Sequence, residues 1–238
     1  MSCTLSIVIQ AYNEASTIAE ALDAVLAVDL SSLDAQVEKE IVVVDDGSTD
    51  GTCDVLERYA GQGIRVIRHE RNRGKGAAIR TGFAAISGDI VLIQDADLEY
   101  DPQEYPQLLE PVLRGRADVV YGSRLSGGRP QRVFLYWHLV GNRFLTFLTN
   151  ILYNSTLTDM ETGYKVFRRE VVQDMRLREN DFRIEPEMTA QVLKSGKLRI
   201  YEVPIAYYGR TYDEGKKITW RDGFGAIATL LRCRFTSL

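Results

Sequence analysis

The sequence predicts an α/β fold in which a mainly parallel sheet is covered by helices on both faces. Short apolar runs alternate with amphipathic segments from the N-terminus onward, as in successive strand–helix units. The runs at 41–44 and 90–93 are continuous, which is typical of strands buried on both faces. In such sheets, ligands bind beyond the carboxyl ends of the strands. The polar residues that follow the apolar runs are therefore the first candidates for a functional site.

Length and composition indicate one soluble globular domain. The chain has 238 residues, of which 45% are hydrophobic and 26% charged, and its net charge of -4 argues against a nucleic-acid surface. Cys3, Cys53 and Cys233 show no C-x-x-C spacing, so neither a disulfide framework nor a zinc site is predicted. The chain enters a strand pattern without a signal-peptide pattern before it. We therefore expect a protein of the cytoplasm.

Regular strand and helix units are predicted in the first half of the chain. The expected strands are 5–9, 41–44, 64–67 and 90–93. The expected helices lie at about 18–26, 52–59, 76–86 and 102–113. The first of these helices has an apolar face, and Ser16 is its expected cap. Pro111 is expected to kink the fourth helix or to lie near its end.

The second half of the chain is less regular. The expected elements are a strand at 118–121, a helix within 133–153, a strand near 164–167, a helix at about 185–193, a strand at 198–203 and a terminal helix. In 133–153 polar residues recur at helical spacing, which excludes a membrane-spanning helix and leaves a broad apolar face. That face can pack on the core or lie on a membrane surface, and we expect it to pack on the core. Phe224, Ile227, Leu231 and Phe235 are in phase in the terminal helix.

An acidic turn, Asp95-Ala96-Asp97-Leu98-Glu99, follows the fourth predicted strand. Three carboxylates at alternate positions of one strand end repel one another and are costly to bury, so we expect a cation to balance them. The expected ion is Mg²⁺ or Mn²⁺, because these ions prefer oxygen ligands and are often completed by substrate phosphates. The alternative is a solvated turn that caps the next helix, since Asp101 is followed by Pro102.

Other polar loops are predicted at the same edge of the sheet. The loops that contain Tyr12, Asp46, Lys75 and Asp97 all leave carboxyl ends of predicted strands. Because parallel strands place these ends side by side, the loops are expected to converge on one crevice. This convergence favours a binding site over a set of unrelated surface turns.

Taken in order, these motifs resemble family 2 glycosyltransferases of the GT-A fold, and most closely the branch that transfers hexoses to dolichyl or polyprenyl phosphate. The matching segments are Tyr12-Asn13-Glu14, 44–52, Asn72-Arg73-Gly74-Lys75-Gly76, Asp95 with Asp97, Gly122-Ser123-Arg124, 159–164 and 210–217. The resemblance implies a single Rossmann-like GT-A domain over residues 1–238. It also implies a nucleotide-sugar half at about 1–124 and an acceptor half at about 125–238.

The resemblance assigns one group of residues to the nucleotide-sugar donor. Tyr12, Glu14, Val44 and Asp46 are expected to contact its base and ribose. The remaining donor-binding residues that it implies are Lys75, Asp95, Arg210 and Lys217. Lys216 is an alternative to Lys217, because either lysine of this pair can occupy the family's position.

The resemblance also implies the residues around the reacting bond. Asp95 and Asp97 are expected to hold the divalent ion against the diphosphate. Glu99 is expected to be a third oxygen ligand, at a position where the mannose synthases commonly have glutamine. Asp97 and Arg124 are the expected catalytic residues, and Arg124 is expected to lie near the acceptor phosphate.

The implied reaction is an inverting transfer of a hexose from a UDP- or GDP-sugar. A metal with arginine or lysine neutralises the leaving diphosphate, and displacement on one face of the sugar inverts the anomeric centre. A lipid phosphate is already an anionic nucleophile and needs positioning by Arg124. A hydroxyl acceptor requires a carboxylate to take its proton, and the candidates are Asp159, Glu185 and Glu187. Each of these three also has a structural alternative as a cap, helix-start or surface carboxylate.

The expected acceptor is a polyprenyl phosphate, reached by peripheral contact with the cytoplasmic face of a membrane or through a membrane-protein partner. The apolar face of 133–153 and the basic, apolar segment Arg221 to Phe235 favour this hypothesis. The main alternative is a soluble family 2 enzyme that glycosylates a saccharide or a small-metabolite hydroxyl. A non-catalytic nucleotide-sugar-binding module is the more remote alternative, which the full set of acidic and basic residues disfavours. The base and the sugar of the donor are left open.

Overall fold

The computed structural model describes residues 2–133, 135–210 and 220–236, with main chain only at 220 and 221. The strands of these residues are β1 Ser2–Ala11, β2 Gln36–Asp45, β3 Ile64–Arg68, β4 Ile90–Asp95, β5 Val119–Ser123, β6 Lys165–Arg168 and β7 Ile200–Pro204. The helices are α1 Ile18–Ala27, α2 Thr52–Tyr59, α3 Lys75–Ala85, α4 Tyr105–Leu113, α5 Tyr136–Tyr153, α6 Arg169–Asp174, α7 Ile184–Lys194 and α8 Trp220–Phe235. A short 3-10 helix, Pro102–Glu104, precedes α4.

The described strands form one seven-stranded sheet in the order β3-β2-β1-β4-β6-β5-β7. The pairs β1–β2, β1–β4, β2–β3 and β5–β7 are parallel, whereas β6 runs antiparallel to both β4 and β5. The prediction of a mainly parallel sheet is therefore confirmed. In the register, Gln10 lies beside Asp95 and Ala11 beside Asp45, so the carboxyl ends of β1, β2 and β4 are level.

Helices cover both faces of the sheet, as predicted. On one face Ile7 and Ile9 of β1 pack with Leu22 of α1 and with side chains from α2 and α4. On the other face Val8 packs with Ile79 of α3 and with side chains from α6 and α7. Because alternate residues of β1 are completely buried on opposite faces, the strand lies in the middle of the core.

Some local expectations differ from the structure. The first helix follows Thr17 rather than Ser16, and the Thr17 hydroxyl donates to the carboxylate of Glu14. Strand β2 begins at Gln36, before its apolar run, because its polar first half pairs with the start of β1. Helix α6 is an element that the sequence did not indicate. Pro111 lies inside α4, two residues before its end.

Much of the apolar face of α5 points away from the protein, so the expectation that it packs on the core holds only for residues such as Leu148 and Leu152. Phe144, Phe147 and Ile151 are 54%, 61% and 63% exposed, whereas Thr146 and Thr149 are buried. The inner side of α5 is attached by hydrogen bonds to the segment that follows it. Thr146 Oγ1 accepts from the main-chain N–H of Met160 at 3.1 Å. These internal hydrogen bonds explain why the polar side faces inward.

Helix α8 also has large apolar side chains on its exposed side. Its buried residues include Ala226, Leu230 and Cys233, which pack with α5 and α7. Phe224 and Phe235 are 66% and 78% exposed.

We use the name apolar surface for the exposed large hydrophobic side chains of this region. They are Val133, Leu135, Tyr136, Trp137, Val140, Phe144, Phe147, Ile151, Phe224, Leu231 and Phe235. None of the described helices combines the length and the apolar character needed to cross a bilayer.

Candidate active site

A cavity of about 870 Å³ opens at the carboxyl ends of β1, β2 and β4. The loops that contain Tyr12, Asp46, Lys75 and Asp97 all line it, as the strand order predicts. The other predicted site residues that line the cavity are Glu14, Asp95, Glu99, Arg124, Glu185 and Arg210. Lys216 and Lys217 lie outside the described residues.

Arg210 bridges carboxylates from two loops. Its Nη2 lies 3.1 Å from Asp97 Oδ2, and its Nη1 lies 3.2 Å from Glu14 Oε2. The main-chain N–H of Arg210 donates to Glu99 Oε1 at 2.7 Å, and the Tyr207 hydroxyl donates to Glu99 Oε2 at 2.7 Å. Burial, together with the charges of Asp95 and Glu99, nevertheless raises the pKa of Asp97 to about 7. Burial and the two neighbouring carboxylates thus outweigh the contact with Arg210 in setting the pKa of Asp97.

Lys75 holds the first carboxylate of the turn. Its Nζ lies 2.9 Å from Asp95 Oδ1 and 3.0 Å from Glu185 Oε1. The amide of Gln10 also donates to Asp95. Burial alone would raise the pKa of Asp95, but Lys75 and the hydrogen bond from Gln10 lower it below its ordinary value. Lys165, which is completely buried, pairs with the second oxygen of Glu185. Charges of opposite sign thus alternate from Asp95 through Lys75 and Glu185 to Lys165.

The three predicted metal ligands are not assembled as a ready-made metal site. Within the described ranges no group of three or more His, Cys, Asp or Glu side chains is placed to hold an ion. Lys75 pairs with Asp95, while Arg210 contacts Asp97 and Glu99. The carboxylate oxygens of the acidic turn still suit a divalent cation, because such ions prefer oxygen ligands. These oxygens already surround one cationic group, the guanidinium of Arg210. The guanidinium of Arg210 occupies oxygen atoms that such an ion would use.

Arg124 and Asp159 form a buried, bidentate ion pair. Arg124 Nε lies 2.6 Å from Asp159 Oδ2, and Nη2 lies 2.8 Å from Oδ1. Asn142 of α5 also donates to Oδ1, at 3.0 Å. Burial opposes the charge on Asp159, but Arg124 lowers the pKa of this carboxyl. These contacts favour a structural role for Asp159 over the role of a general base.

The two glutamates predicted as bases differ in their surroundings. Glu187 is not among the side chains that line the cavity. Its Oε2 accepts main-chain N–H groups of Arg178 and Glu179 at 2.8 Å, and its Oε1 lies 3.1 Å from Arg232. These contacts are those of a structural carboxylate. Glu185 does line the cavity, with both oxygens held by lysines.

Asp46 organises the loop that leads into α3. Its carboxylate accepts from the main-chain N–H groups of Arg73 and Gly74 at 2.9 and 2.7 Å, and it lies 2.6 Å from His69 Nδ1. His69 was not predicted, because nothing in its sequence surroundings marks it. Val44 is completely buried with Val42 and Ala78 and does not line the cavity. A donor contact at Val44 stays a prediction and would have to come from its main chain.

Glu161 is a cavity residue that the sequence reasoning missed. It lies in the turn between α5 and β6, two residues after Asp159, and lines the cavity together with Glu185. Its Oε1 is buried without a hydrogen-bond partner among the described residues. A signal was present, since this acidic side chain lies within the motif that contains Asp159, Thr162 and Gly163.

The part of the cavity formed by α5 and α8 is mainly apolar, with His138, Asn142 and Asp222 as polar residues in its lining. It is lined by side chains of α5 and α8, including Trp137, Phe144, Leu145, Phe224 and Ile227. Trp137, Phe144 and Phe224 also belong to the apolar surface. The cavity therefore joins a charged end at the sheet to the apolar exterior of α5 and α8.

Comparison with known proteins identifies the class that this fold and cavity define. Residues 6–176 match the model of glycosyl transferase family 2, and the chain belongs to this family. Its fold is that of GT-A glycosyltransferases. The structure superimposes with a TM-score of 0.73 on glucosyl-3-phosphoglycerate synthase from Mycobacterium tuberculosis in complex with Mn²⁺, UDP and phosphoglyceric acid. That alignment has 25% sequence identity and covers 99% of this chain and 80% of the other.

Two curated relatives come from archaea. A low-salt glycan biosynthesis hexosyltransferase of Haloferax volcanii is 33% identical over 96% of this chain. The dolichol-phosphate mannosyltransferase of Pyrococcus furiosus is 29% identical over 89% of this chain. The alignments span only 53% and 58% of the lengths of these relatives. The chain therefore corresponds to little more than half of each.

Proposed function

We propose that this protein is an inverting, metal-dependent hexosyltransferase that uses a nucleoside diphosphate sugar and a polyprenyl phosphate. The observation that carries the proposal is the two-ended cavity, with charged residues around Asp97 at one end and Phe144 and Phe224 at the other. An amphiphilic acceptor with an anionic head and an apolar tail matches this polarity. A sugar acceptor without an apolar part gains little from the second end.

The charged end supports binding of the donor. UDP is present in the structural neighbour, which is consistent with a nucleotide at the carboxyl ends of these strands. Lys75 and Arg210 would contact the diphosphate, and Arg210 can do so only by leaving Asp97 and Glu14. Lys217 is also proposed to contact the diphosphate, as the sequence predicts. Tyr12, Glu14 and Asp46 remain the proposed contacts for the nucleoside.

Asp95, Asp97 and Glu99 would hold Mg²⁺ or Mn²⁺ through their carboxylate oxygens. When bound, the ion supplies charge neutralisation on the leaving diphosphate. Two of these carboxylates, Asp97 and Glu99, share the single guanidinium of Arg210, which supports this assignment. Lys75, already fixed between Asp95 and Glu185, contributes positive charge without having to be ordered during the reaction.

The apolar end supports the lipid acceptor. Its phosphate needs no general base, which agrees with the paired state of Asp159, Glu185 and Glu187. Arg124 is proposed to orient the phosphate through Nη1, which makes no hydrogen bond to any of the described residues. The Asp159 ion pair would fix the guanidinium for this task.

The apolar surface supports peripheral contact with a membrane. Its aromatic residues Tyr136 and Trp137 begin α5, and exposed arginines such as Arg143 and Arg234 lie on the same two helices. Aromatic and basic side chains around an apolar face are typical of helices that lie in a bilayer interface. Such contact would bring the polyprenyl chain to the apolar end of the cavity.

The proposal is tested by product analysis with the full chain, a panel of UDP- and GDP-hexoses and Mn²⁺. We expect transfer to a polyprenyl phosphate in vesicles with inversion at the anomeric carbon. Asp97→Ala should abolish transfer while the fold is retained, and Asp54→Ala, at an exposed position of α2, is the matched control. Full activity of Asp97→Ala would contradict the assigned role. Transfer to oligosaccharides alone would contradict the lipid acceptor.

The second candidate is a family 2 enzyme that glycosylates the hydroxyl of a small metabolite or saccharide. The observation in its favour is the similarity to a solved structure that contains phosphoglyceric acid. Glu185 is the predicted base that lines the cavity. Product formation with a phosphorylated hydroxy acid, and not with polyprenyl phosphate, would support this candidate.

A further inference from the structure

Among the residues that the structure describes, Glu161 differs from the other carboxylates of the cavity because none of them offers it an opposite charge at hydrogen-bond distance. Asp95 contacts Lys75, Asp97 contacts Arg210 and Glu185 contacts two lysines. Oε1 of Glu161 is buried and accepts no hydrogen bond from the described residues. Buried polar atoms of folded proteins are nearly always hydrogen-bonded, so an exception inside a binding cavity points to a ligand.

The turn that carries Glu161 is fixed on both sides. Asp159 is held by Arg124 and Asn142, and the main-chain N–H of Met160 donates to Thr146 Oγ1. After Glu161, the main-chain N–H of Gly163 donates to the Tyr100 hydroxyl at 2.8 Å. Since its flanking residues are anchored, Glu161 is held at the cavity before any ligand binds. A preorganised side chain of this kind costs little entropy on binding.

Gly163 places the turn directly against the acidic end of the cavity. A Cβ atom at this position would collide with the carboxylate of Asp95. The close approach requires glycine, and the charges that act on Glu161 two residues earlier include those of Arg124 and Asp159. Glu161 lines the same cavity as the residues proposed for the donor diphosphate and for the acceptor head group.

The chemistry of Glu161 selects its ligand. An ionised carboxylate only accepts hydrogen bonds, so the group that it binds must donate them. The phosphate of a lipid acceptor is mostly ionised near neutral pH and repels a carboxylate. Hydroxyl groups donate, and two neighbouring hydroxyls of a hexose can reach the two oxygens of one carboxylate.

We propose that Glu161 binds hydroxyl groups of the transferred hexose and thereby sets the sugar specificity of the donor site. The proposal rests on the proposed function, since it requires a nucleoside diphosphate hexose in the cavity. Burial, reinforced by the charge of Glu185, raises the pKa of Glu161 to about 7, and hydrogen bonds from hydroxyls favour its ionised form.

The test measures binding in the absence of an acceptor. Wild-type protein, Glu161→Gln and Glu161→Ala are titrated calorimetrically with UDP and GDP and with their epimeric hexose derivatives, in the presence of Mn²⁺. The matched control is Glu170→Gln, which changes an exposed glutamate at the start of α6. We expect the affinity for the nucleoside diphosphates alone to change less than about twofold. Affinity for the preferred nucleotide hexose should fall roughly tenfold or more, and discrimination between epimers should shrink.

The outcomes separate this inference from the proposed function. If wild-type protein discriminates between epimers and both Glu161 variants keep the same ranking and affinities, the inference is overturned while the proposed function stands. If wild-type protein binds no nucleoside diphosphate sugar, both fail. Circular dichroism confirms that each variant is folded, and Glu161→Gln preserves the size of the side chain. A change in the KM of the acceptor alone would also contradict the inference.

Discussion

The guanidinium of Arg210 lies 3.1 Å from the carboxylate of Asp97, although the two residues are 113 positions apart in the chain. The same guanidinium contacts Glu14, so one side chain connects the segment after β7 to the loops after β1 and β4. A divalent ion held by the acidic turn would compete with Arg210 for carboxylate oxygens. Arg210 thus contacts the same carboxylates that would hold the metal in the proposed mechanism.

Arg210→Gln should lower the stability of the ligand-free protein, because Asp97 and Glu14 lose their cation. We expect a loss on the order of 2 kcal/mol, reduced from the value for a fully buried pair since the Arg210 side chain is 19% exposed. Mn²⁺ should raise the melting temperature of the variant more than that of wild type. Thermal melts with and without Mn²⁺ measure this, and Arg58→Gln, at an exposed position of α2, is the control. Equal shifts in both proteins would contradict the competition.

Replacing Phe147 and Ile151 together by serine should weaken binding to vesicles without unfolding the protein, because both side chains are mostly exposed. Each side chain is expected to contribute roughly 2 kcal/mol when it enters an apolar environment. Co-sedimentation with anionic vesicles measures the effect. Tyr201→Ser removes an exposed large side chain from β7 and should change nothing. Unchanged binding of the double variant would rule out this face as the membrane contact.

Asp159→Asn should destabilise the protein by about 3 kcal/mol, because it leaves the buried guanidinium of Arg124 without its counter-charge. Urea unfolding monitored by circular dichroism gives the free energy of unfolding. Asp29→Asn, at an exposed position after α1, provides the comparison. A variant of wild-type stability that had lost only transfer to hydroxyl acceptors would instead identify Asp159 as a base.

Glu161→Gln should change how stability depends on pH. The folded-state pKa of Glu161 is about 7, above its ordinary value of 4.5, so between these values the folded protein binds more protons than the unfolded chain. The stability of wild type should therefore fall relative to the variant as pH rises from 4.5 to 7, by roughly 3 kcal/mol. Below pH 4.5 this difference should disappear.

The charges that face Glu161 are those of Glu185, Lys165, Arg124 and Asp159, and all of them are retained in the Gln variant. Subtracting one stability curve from the other therefore gives the contribution of the Glu161 carboxyl, because the other titrating groups are the same in both proteins. Parallel curves between pH 4.5 and 7 would show that this carboxyl is not perturbed.

The strands and the convergence of loops at the cavity follow from local patterns in the sequence. A continuous apolar run such as Ile41 to Val44 has few alternatives to a buried strand, and strand direction then places Asp46 and Asp97 at one edge. Contacts between segments that are far apart in the sequence could not be predicted from such local patterns. The pairing of Arg210 with Asp97 depends on how the chain returns after β7, which no local pattern encodes.

The orientation of α5 was the main error, and its cause is physical. Periodicity shows that a helix has an apolar and a polar side, but it does not show which side faces the protein. In α5 the polar side finds internal partners, such as Asp159 for Asn142 and Met160 for Thr146. Glu161 was missed for a related reason, since its lack of a partner is visible only when its neighbours are in place.

The inward hydrogen bonds of α5 have a consequence for handling the protein. In water its hydrophobic exterior favours self-association at high concentration, because an exposed patch of this kind gains free energy when a second copy covers it. A mild detergent should cover the same side chains without competing for the polar bonds that attach the helix. We therefore expect the protein to stay folded and dispersed in detergent at concentrations at which it aggregates in buffer without detergent.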